Sequence, residues 1–383
     1  MFACLGHFFI HFCIAFYFVI VLSLERAWQI PYHELIGLWT LGSLMIGLFA
    51  IPAGMAADRF GAPVTVAVYF LGMGACAVLA GLSESPAFLM LCLTGIGIFA
   101  AIYHPAAIPW MVRNSRYRKG KALAVNGIFG SLGGAGAAVV SGLLIDLINW
   151  RAAFILPGLA VVATGVLMVV WLSCGKSLDV KTATRVEAEA TSGASLIRIF
   201  VILMISMFIS GLIYNGTQTS LPKMFELRSH GLFGEGLSGV GMAVAIIYGI
   251  AGFMQLLGGH LADRYALKTV YLSALTLQIP FLWLTAETSG AYLLPLAVLM
   301  VVANMSALPA ENMLLARYAP QSRQGLAFGV KFLVNFGAAP IAVQTVAFIQ
   351  GNTGELTVLF WLLALLGLVA VMVVSQLPRS ANA

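Results

Sequence analysis

The sequence predicts an all-α membrane protein of twelve transmembrane helices in two pseudo-symmetric six-helix bundles. Three observations carry that reading: composition, the spacing of apolar stretches, and an internal repeat. Of 383 residues, 61% are hydrophobic and 9% charged, far outside the range of soluble domains. Twelve stretches of roughly 20 apolar residues are each long enough to cross a hydrocarbon core of about 30 Å. Gly54-Met55-Ala56-Ala57-Asp58-Arg59-Phe60-Gly61 returns 205 residues later as Gly259-His260-Leu261-Ala262-Asp263-Arg264-Tyr265-Ala266. The same offset aligns Gly47 with Gly252, Gly120 with Gly325, Ala122 with Ala327 and Asn126 with Lys331. The chain is a duplicated bundle.

Taken in order, the expected spans cover 2–24, 35–57, 64–83, 87–112, 122–145 and 152–173, then 199–222, 237–262, 269–286, 291–316, 325–350 and 356–377. Backbone amides in lipid find no water, so each span must be helical. The first is expected to stay as a membrane helix, since it lacks the basic lead and small-residue cleavage site of a signal peptide. The one long hydrophilic segment, 175–198, divides a first bundle (1–174) from a second (199–383). Every other connection is short, which leaves no room for an appended soluble domain. The sequon-like Asn215-Gly216-Thr217 and Asn304-Met305-Ser306 fall inside spans and cannot be glycosylated.

A formal charge of +6 would suggest nucleic acid in a soluble protein, but here placement decides. Counting loops alternately, 15 of the 20 Lys and Arg fall on one side: Arg59, Arg113, Arg116, Arg118, Lys119, Lys121, Lys176, Lys181, Arg185, Arg198, Arg264, Lys268, Arg317, Arg323 and Arg379. Arg26, Arg151, Lys223 and Arg228 fall on the other, and Lys331 lies inside a span. The positive-inside rule makes the crowded side cytoplasmic, puts both termini there and makes the linker cytoplasmic. No nucleic-acid partner is expected. Cys4, Cys13, Cys76, Cys92 and Cys174 show no paired spacing and read as small apolar packing residues.

The repeated Gly-x-x-Ala-Asp-Arg motif, in the loop between helices two and three and again between eight and nine, resembles the signature of the major facilitator superfamily of secondary transporters. Trp150-Arg151-Ala152-Ala153-Phe154 with Pro157-Gly158 adds to the likeness, which spans essentially the whole chain. Gly95-x-Gly97 leading to Tyr103-His104-Pro105, then Lys119-Gly120 and a glycine-rich helix five, is similar to the fosmidomycin-resistance type of efflux protein. The chain departs from proton-coupled drug antiporters in two places: no arginine stands between Leu89 and Gly95, and their helix-five glycine-proline reads Gly136-Ala137. In the first motif, Ala62-Pro63 replaces the usual basic pair after Gly61.

The motif's chemistry can be stated from its residues. Gly54 and Gly259 let two helices approach closely, and Asp58 and Asp263 stand beside Arg59 and Arg264 at helix ends, where a carboxylate can meet a guanidinium or a helix N-terminus. Such a contact can form a gate that closes in one state and breaks in the other; the plainer alternative is a charge cluster that only fixes topology. Helix five, with Gly127, Gly130, Gly133, Gly134, Gly136 and Gly142, offers a face on which a neighbour can pack tightly or slide.

Apart from histidines, only Glu311 and Lys331 are read as ionisable groups inside spans. Each is expensive in hydrocarbon, at roughly 2.5 kcal/mol or more, so each needs a partner. Their depths match: Glu311 comes about five residues before the end of helix ten and Lys331 about six residues into helix eleven. They are either a coupling site or a fixed structural pair, and Lys331 also has the option of snorkelling. His7 and His11 share a face of helix one, and His104 lies on helix four. In the family's fold, helices one, four, seven and ten line the central cavity, where a histidine could carry a proton or bind an anionic or metal ligand; a buried packing histidine is the alternative. Asn126, aligned with Lys331, and the cluster Tyr214, Asn215, Gln218 and Thr219 before Pro222 complete the candidates, as solute-orienting groups or as helix glue.

The expected function is secondary transport of a small solute by alternating access around a midplane site between the halves. No Walker-type phosphate loop is present, which leaves an ion gradient, protons first, as the energy source; efflux is favoured over uptake. The alternative is a sensor or assembly factor that kept the fold without transporting. An enzyme is not expected, since no nucleophile–base pair or metal-ligand set stands out. The chain is expected to act as a monomer in the inner membrane, without cofactor or metal.

Overall fold

The computed structural model describes residues 1–115, 119–175, 194–229, 231–319 and 324–378, and among these it is helical without a strand. The linker over 176–193 and the basic residues Arg116, Arg118, Arg323 and Arg379 lie outside the described residues. Twelve helices are long and apolar enough to cross a membrane: α1 (Phe2–Trp28), α2 (Tyr32–Phe60), α3 (Ala62–Gly81), α4 (Pro86–Asn114), α5 (Lys119–Leu147), α6 (Trp150–Ser173), α7 (Ala194–Arg228), α8 (Leu237–Arg264), α9 (Leu267–Glu287), α10 (Gly290–Tyr318), α11 (Gln324–Thr353) and α12 (Thr357–Ser375). The helical regularity of α1, α2 and α4 is interrupted near Phe16, Leu38 and Ala101.

Local chemistry sets several of the boundaries. Ser85 caps α4 by accepting from the Phe88 amide, with Pro86 at the first helical position. Asn149 caps α6 through the Ala152 amide at 3.0 Å. Gly61 joins α2 to α3 at φ +88°, a conformation that favours glycine. Its counterpart in the second repeat, Ala266, starts α9 at φ −57°. The second turn therefore has no need of glycine, which accounts for the one residue at which the motif's last position differs.

One expected boundary is corrected. Helix α7 does not stop at Pro222 but continues to Arg228. A proline in a membrane helix is tolerated where the freed carbonyl finds other partners. The extra turn carries an ion pair between Lys223 and Glu226, 2.9 Å apart and both largely buried, and pairs at this spacing support a helix. Lys223 is thus part of a helix and not of a loop, and Glu311 and Lys331 are not the only acid and base within helices.

The chain divides into two compact units, Met1–Ala183 with His230–Ala245 and Thr184–Ser229 with Ile246–Ala383. The repeat is visible in their packing. In the first unit α1 packs on α5, α3 on α6 and α3 on α4; in the second α7 packs on α11, α9 on α12 and α9 on α10. The first core is built from fully buried aromatics, among them Phe16, Tyr17, Tyr69, Phe70, Tyr103 and Phe154. The second is centred on Phe225, Tyr271 and Phe360.

Close helix approach falls on residues other than the motif glycines. A Cβ at Gly97 would collide with the backbone of Gly42, where α4 crosses α2, and one at Gly258 would collide with the Ser306 carbonyl, where α8 crosses α10. At Gly54 and Gly259 a Cβ would sit 3.5 and 4.0 Å from the Cβ of Pro105 and Pro309, an ordinary contact. Helix α5 also uses its glycines unevenly: Gly130 and Gly133 meet His7 and Phe8 of α1, Gly142 meets the start of α8, and Gly127 and Gly134 have nothing within 4 Å. The Gly130/Gly134 spacing is accordingly not a packing face.

In each unit an arginine caps the end of a helix. Arg151 of α6 donates to the carbonyls of Gly81 and Ser83 at the end of α3, and Arg228 of α7 donates to Ala286 at the end of α9. Cations there suit the partial negative charge of a helix C-terminus.

Candidate functional site

In the second unit, α10 and α11 bring Glu311 and Lys331 together at 2.7 Å, with side chains 3% and 9% exposed. Each charge has neutral support. The Tyr271 hydroxyl of α9 donates to Glu311 Oε2 at 3.0 Å and lies 3.3 Å from Ser206 Oγ of α7, and the Lys331 ammonium also donates to the Asn312 side-chain oxygen. The pair is thus held by four helices. Sequence spacing locates the two charges at one depth. It does not find Tyr271, Ser206 or Asn312, because nothing in a lone tyrosine or serine says which distant helix it faces.

In the first unit, three histidines and Asn126 form a second polar centre. His7 Nδ1 lies 2.6 Å from the Asn126 carbonyl and 3.1 Å from the Asn126 side-chain nitrogen; the carbonyl accepts from Nδ1 in the tautomer that leaves the Nε2 lone pair free. That Nε2 is 3.2 Å from His11 Nε2, and one ring nitrogen of each of His7, His11 and His104 lies within 4.8 Å of the other two. The Tyr103 ring stacks on His7 at 5.2 Å, and its hydroxyl lies 2.7 Å from the Ala3 carbonyl and 3.0 Å from Asn126 Oδ1. All three histidines are half-buried. His104 is remote in sequence, and only the packing of α4 against α1 adds it to the other two.

The remaining candidates are placed as follows. Asp58, Arg59, Asp263 and Arg264 are exposed at the ends of α2 and α8, and among the described residues neither aspartate forms an ion pair. Arg59 instead lies over the Phe60 ring at 5.2 Å. On α7, Asn215 donates to its own helix at Gly211, 2.8 Å away, and Gln218 Nε2 lies 3.3 Å from the Tyr214 hydroxyl. The Tyr214 ring also meets Tyr248 of α8 edge-on, with centroids 6.3 Å apart.

Twelve such helices in two repeated units, each with a polar centre, define a multi-pass membrane protein of the solute-transporter fold. A family model for the Major Facilitator Superfamily matches residues 3–330, and the chain belongs to that superfamily. It is 28% identical to the MFS-type efflux pump of Mycolicibacterium smegmatis over 228 residues, 58% of this chain and 52% of the relative. It is 34% identical to the puromycin resistance protein pur8 of Streptomyces alboniger over 119 residues, 29% of this chain and 23% of the relative. These matches span at most about half the length of the curated relatives. Among solved structures, a bacterial homologue of the human lysosomal transporter Spinster, inward-facing and occupied, superposes with a TM-score of 0.79 at 16% identity, covering 100% of this chain and 98% of that one. A D-xylose–proton symporter gives 0.78 at 15% identity, covering 99% and 97%. At such identities the likeness is one of fold.

Proposed function

We propose that this protein is a secondary transporter of the inner membrane, with both termini cytoplasmic, that exports a small solute by alternating access and draws on the proton gradient. The buried Glu311–Lys331 pair is the observation that carries the coupling step. Removing one partner of a buried ion pair strands the other at a cost of about 3–5 kcal/mol. A proton on Glu311 breaks the ion pair and leaves the charged Lys331 to Asn312 or to an anionic group of the solute. Protonation is thereby linked to the packing of α9, α10 and α11, the helices that supply Tyr271, Glu311 and Lys331. Export is supported by the names of the two relatives, an efflux pump and a resistance protein, and use of protons by the symporter that shares the fold. Asp58 and Asp263, with their arginines, are the proposed gate; their exposure, and the lack of an ion pair among the described residues, suit a contact that forms in another state.

Glu311→Gln, Lys331→Met and the double variant, reconstituted in liposomes, separate coupling from scaffolding. Each single variant is expected to lose about 3–5 kcal/mol of stability and the double to recover most of it. Flux driven by an imposed pH gradient should stay absent in the double, while exchange without the gradient persists. A double variant that regains both stability and pH-driven flux would falsify the coupling role.

A further inference from the structure

The proposed coupling pair leaves the histidine cluster of the first unit without a role. We propose that His7, His11 and His104 form a binding site for a transition-metal dication of the zinc class. Nitrogen ligands at about 2.0–2.1 Å from a tetrahedral ion stand about 3.4 Å apart. His7 Nε2 and His11 Nε2 are already 3.2 Å apart, and one ring nitrogen of each of the three histidines lies within 4.8 Å of the other two. The support around His7 is that of a ligand: the Asn126 carbonyl stands 2.6 Å from Nδ1, where it accepts from the tautomer whose Nε2 lone pair is free for an ion. Gly130 makes the room, since a Cβ there would lie 2.7 Å from His7 Cε1. Tyr103 stacks nearly parallel to the same ring, at 10°.

The donor set gives the class of ion. Three neutral imidazoles, without a carboxylate among them, suit Zn, Co, Ni or Cu and not Mg or Ca. Three protein ligands leave a fourth position for water or for a donor atom of a solute, as in sites that exchange what they hold.

The test uses purified full-length protein with any affinity tag removed and bound metal stripped by a chelator. Titration with Co²⁺ should give one equivalent per chain with the visible absorption of a tetrahedral site, Zn²⁺ should displace it and raise the unfolding temperature, and Mg²⁺ should do neither. His7→Gln, His11→Gln and His104→Gln should each weaken Co²⁺ binding at least about 100-fold, beyond what loss of an outer-shell partner costs. His260→Gln, an exposed histidine outside the cluster, should bind as the wild type does. His11→Cys keeps a ligand at the same place and should add a thiolate-to-cobalt band in the near ultraviolet. Wild-type protein without stoichiometric Co²⁺ binding, or binding that persists in the three Gln variants combined, overturns the site; so does a folded His11→Cys variant that binds Co²⁺ without the new band.

Discussion

Gly61 and Ala266 occupy the same position of the repeat and yet ask different things of the backbone. Gly61 turns the chain at φ +88° and ψ 138°, where a side chain is strained, whereas Ala266 sits at φ −57°. Gly61→Ala should therefore cost about 1–3 kcal/mol of stability, and Ala266→Gly less than about 1 kcal/mol, as read from thermal unfolding in detergent. Equal effects at both positions would mean that the two turns share one geometry. Residue types that repeat were legible in the sequence, and so was the pairing of Glu311 with Lys331, because each charge in hydrocarbon must be answered and their depths agree. Tyr271 was not legible: a buried hydroxyl has many routes to satisfaction, and only the fold shows that its partner is Glu311 at 3.0 Å. Gly54 and Gly259 misled in a similar way, since a glycine in a repeated motif reads as a close approach while the actual collisions lie at Gly97 and Gly258.

Helix α8 is the element whose two ends answer to different surroundings, since Leu237–Ala245 belongs with the first unit and the rest with the second. Its start is held by Asp146 of α5, whose carboxylate accepts from the Leu237 amide at 3.0 Å and the Ser238 amide at 2.7 Å. A carboxylate on the first amides of a helix satisfies donors that have no intrahelical partner and meets the positive end of the dipole. Gly142 and Gly241 let the two helices close around this contact, because a Cβ at either would strike the other's backbone. Asp146→Ala should destabilise the start of α8 by about 1 kcal/mol and speed hydrogen exchange over 237–240, with exchange in α9 and α12 unchanged. Unaltered exchange at Leu237 and Ser238 would show that packing alone holds this end. The spans of α5 and α8 could be read from hydropathy, but the cap joins residues 91 apart in sequence, a distance over which local patterns carry no information. Pro222 shows the opposite error, since a local rule ended α7 too early where a buried Lys223–Glu226 pair sustains it.

At the scale of the whole molecule, the offset of 205 places Asn126 on Lys331, and each lies at the polar centre of its own unit: Asn126 with His7 and Tyr103, Lys331 with Glu311 and Asn312. Duplication therefore preserved a position for polar chemistry on α5 and α11 while the chemistry diverged, to imidazoles in one unit and an ion pair in the other. The charge count, 15 basic residues on the motif side against four on the other, predicts a direction for this molecule in the membrane. That asymmetry predicts which loops meet the cytoplasm, and the gate assigned to Asp58 and Asp263 depends on it. Single cysteines at Ser115, after α4, and at Gln376, after α12, should be protected in intact cells from a membrane-impermeant thiol reagent and should react once the membrane is opened. One at Ser85, exposed before α4, should react without opening. The background replaces Cys174, which is exposed, and keeps the buried Cys13 and Cys92. Labelling of Ser115→Cys and Gln376→Cys in intact cells, with Ser85→Cys protected, would invert the molecule and move the gating motifs to the outer face, where the proposed direction of export would have to be drawn anew.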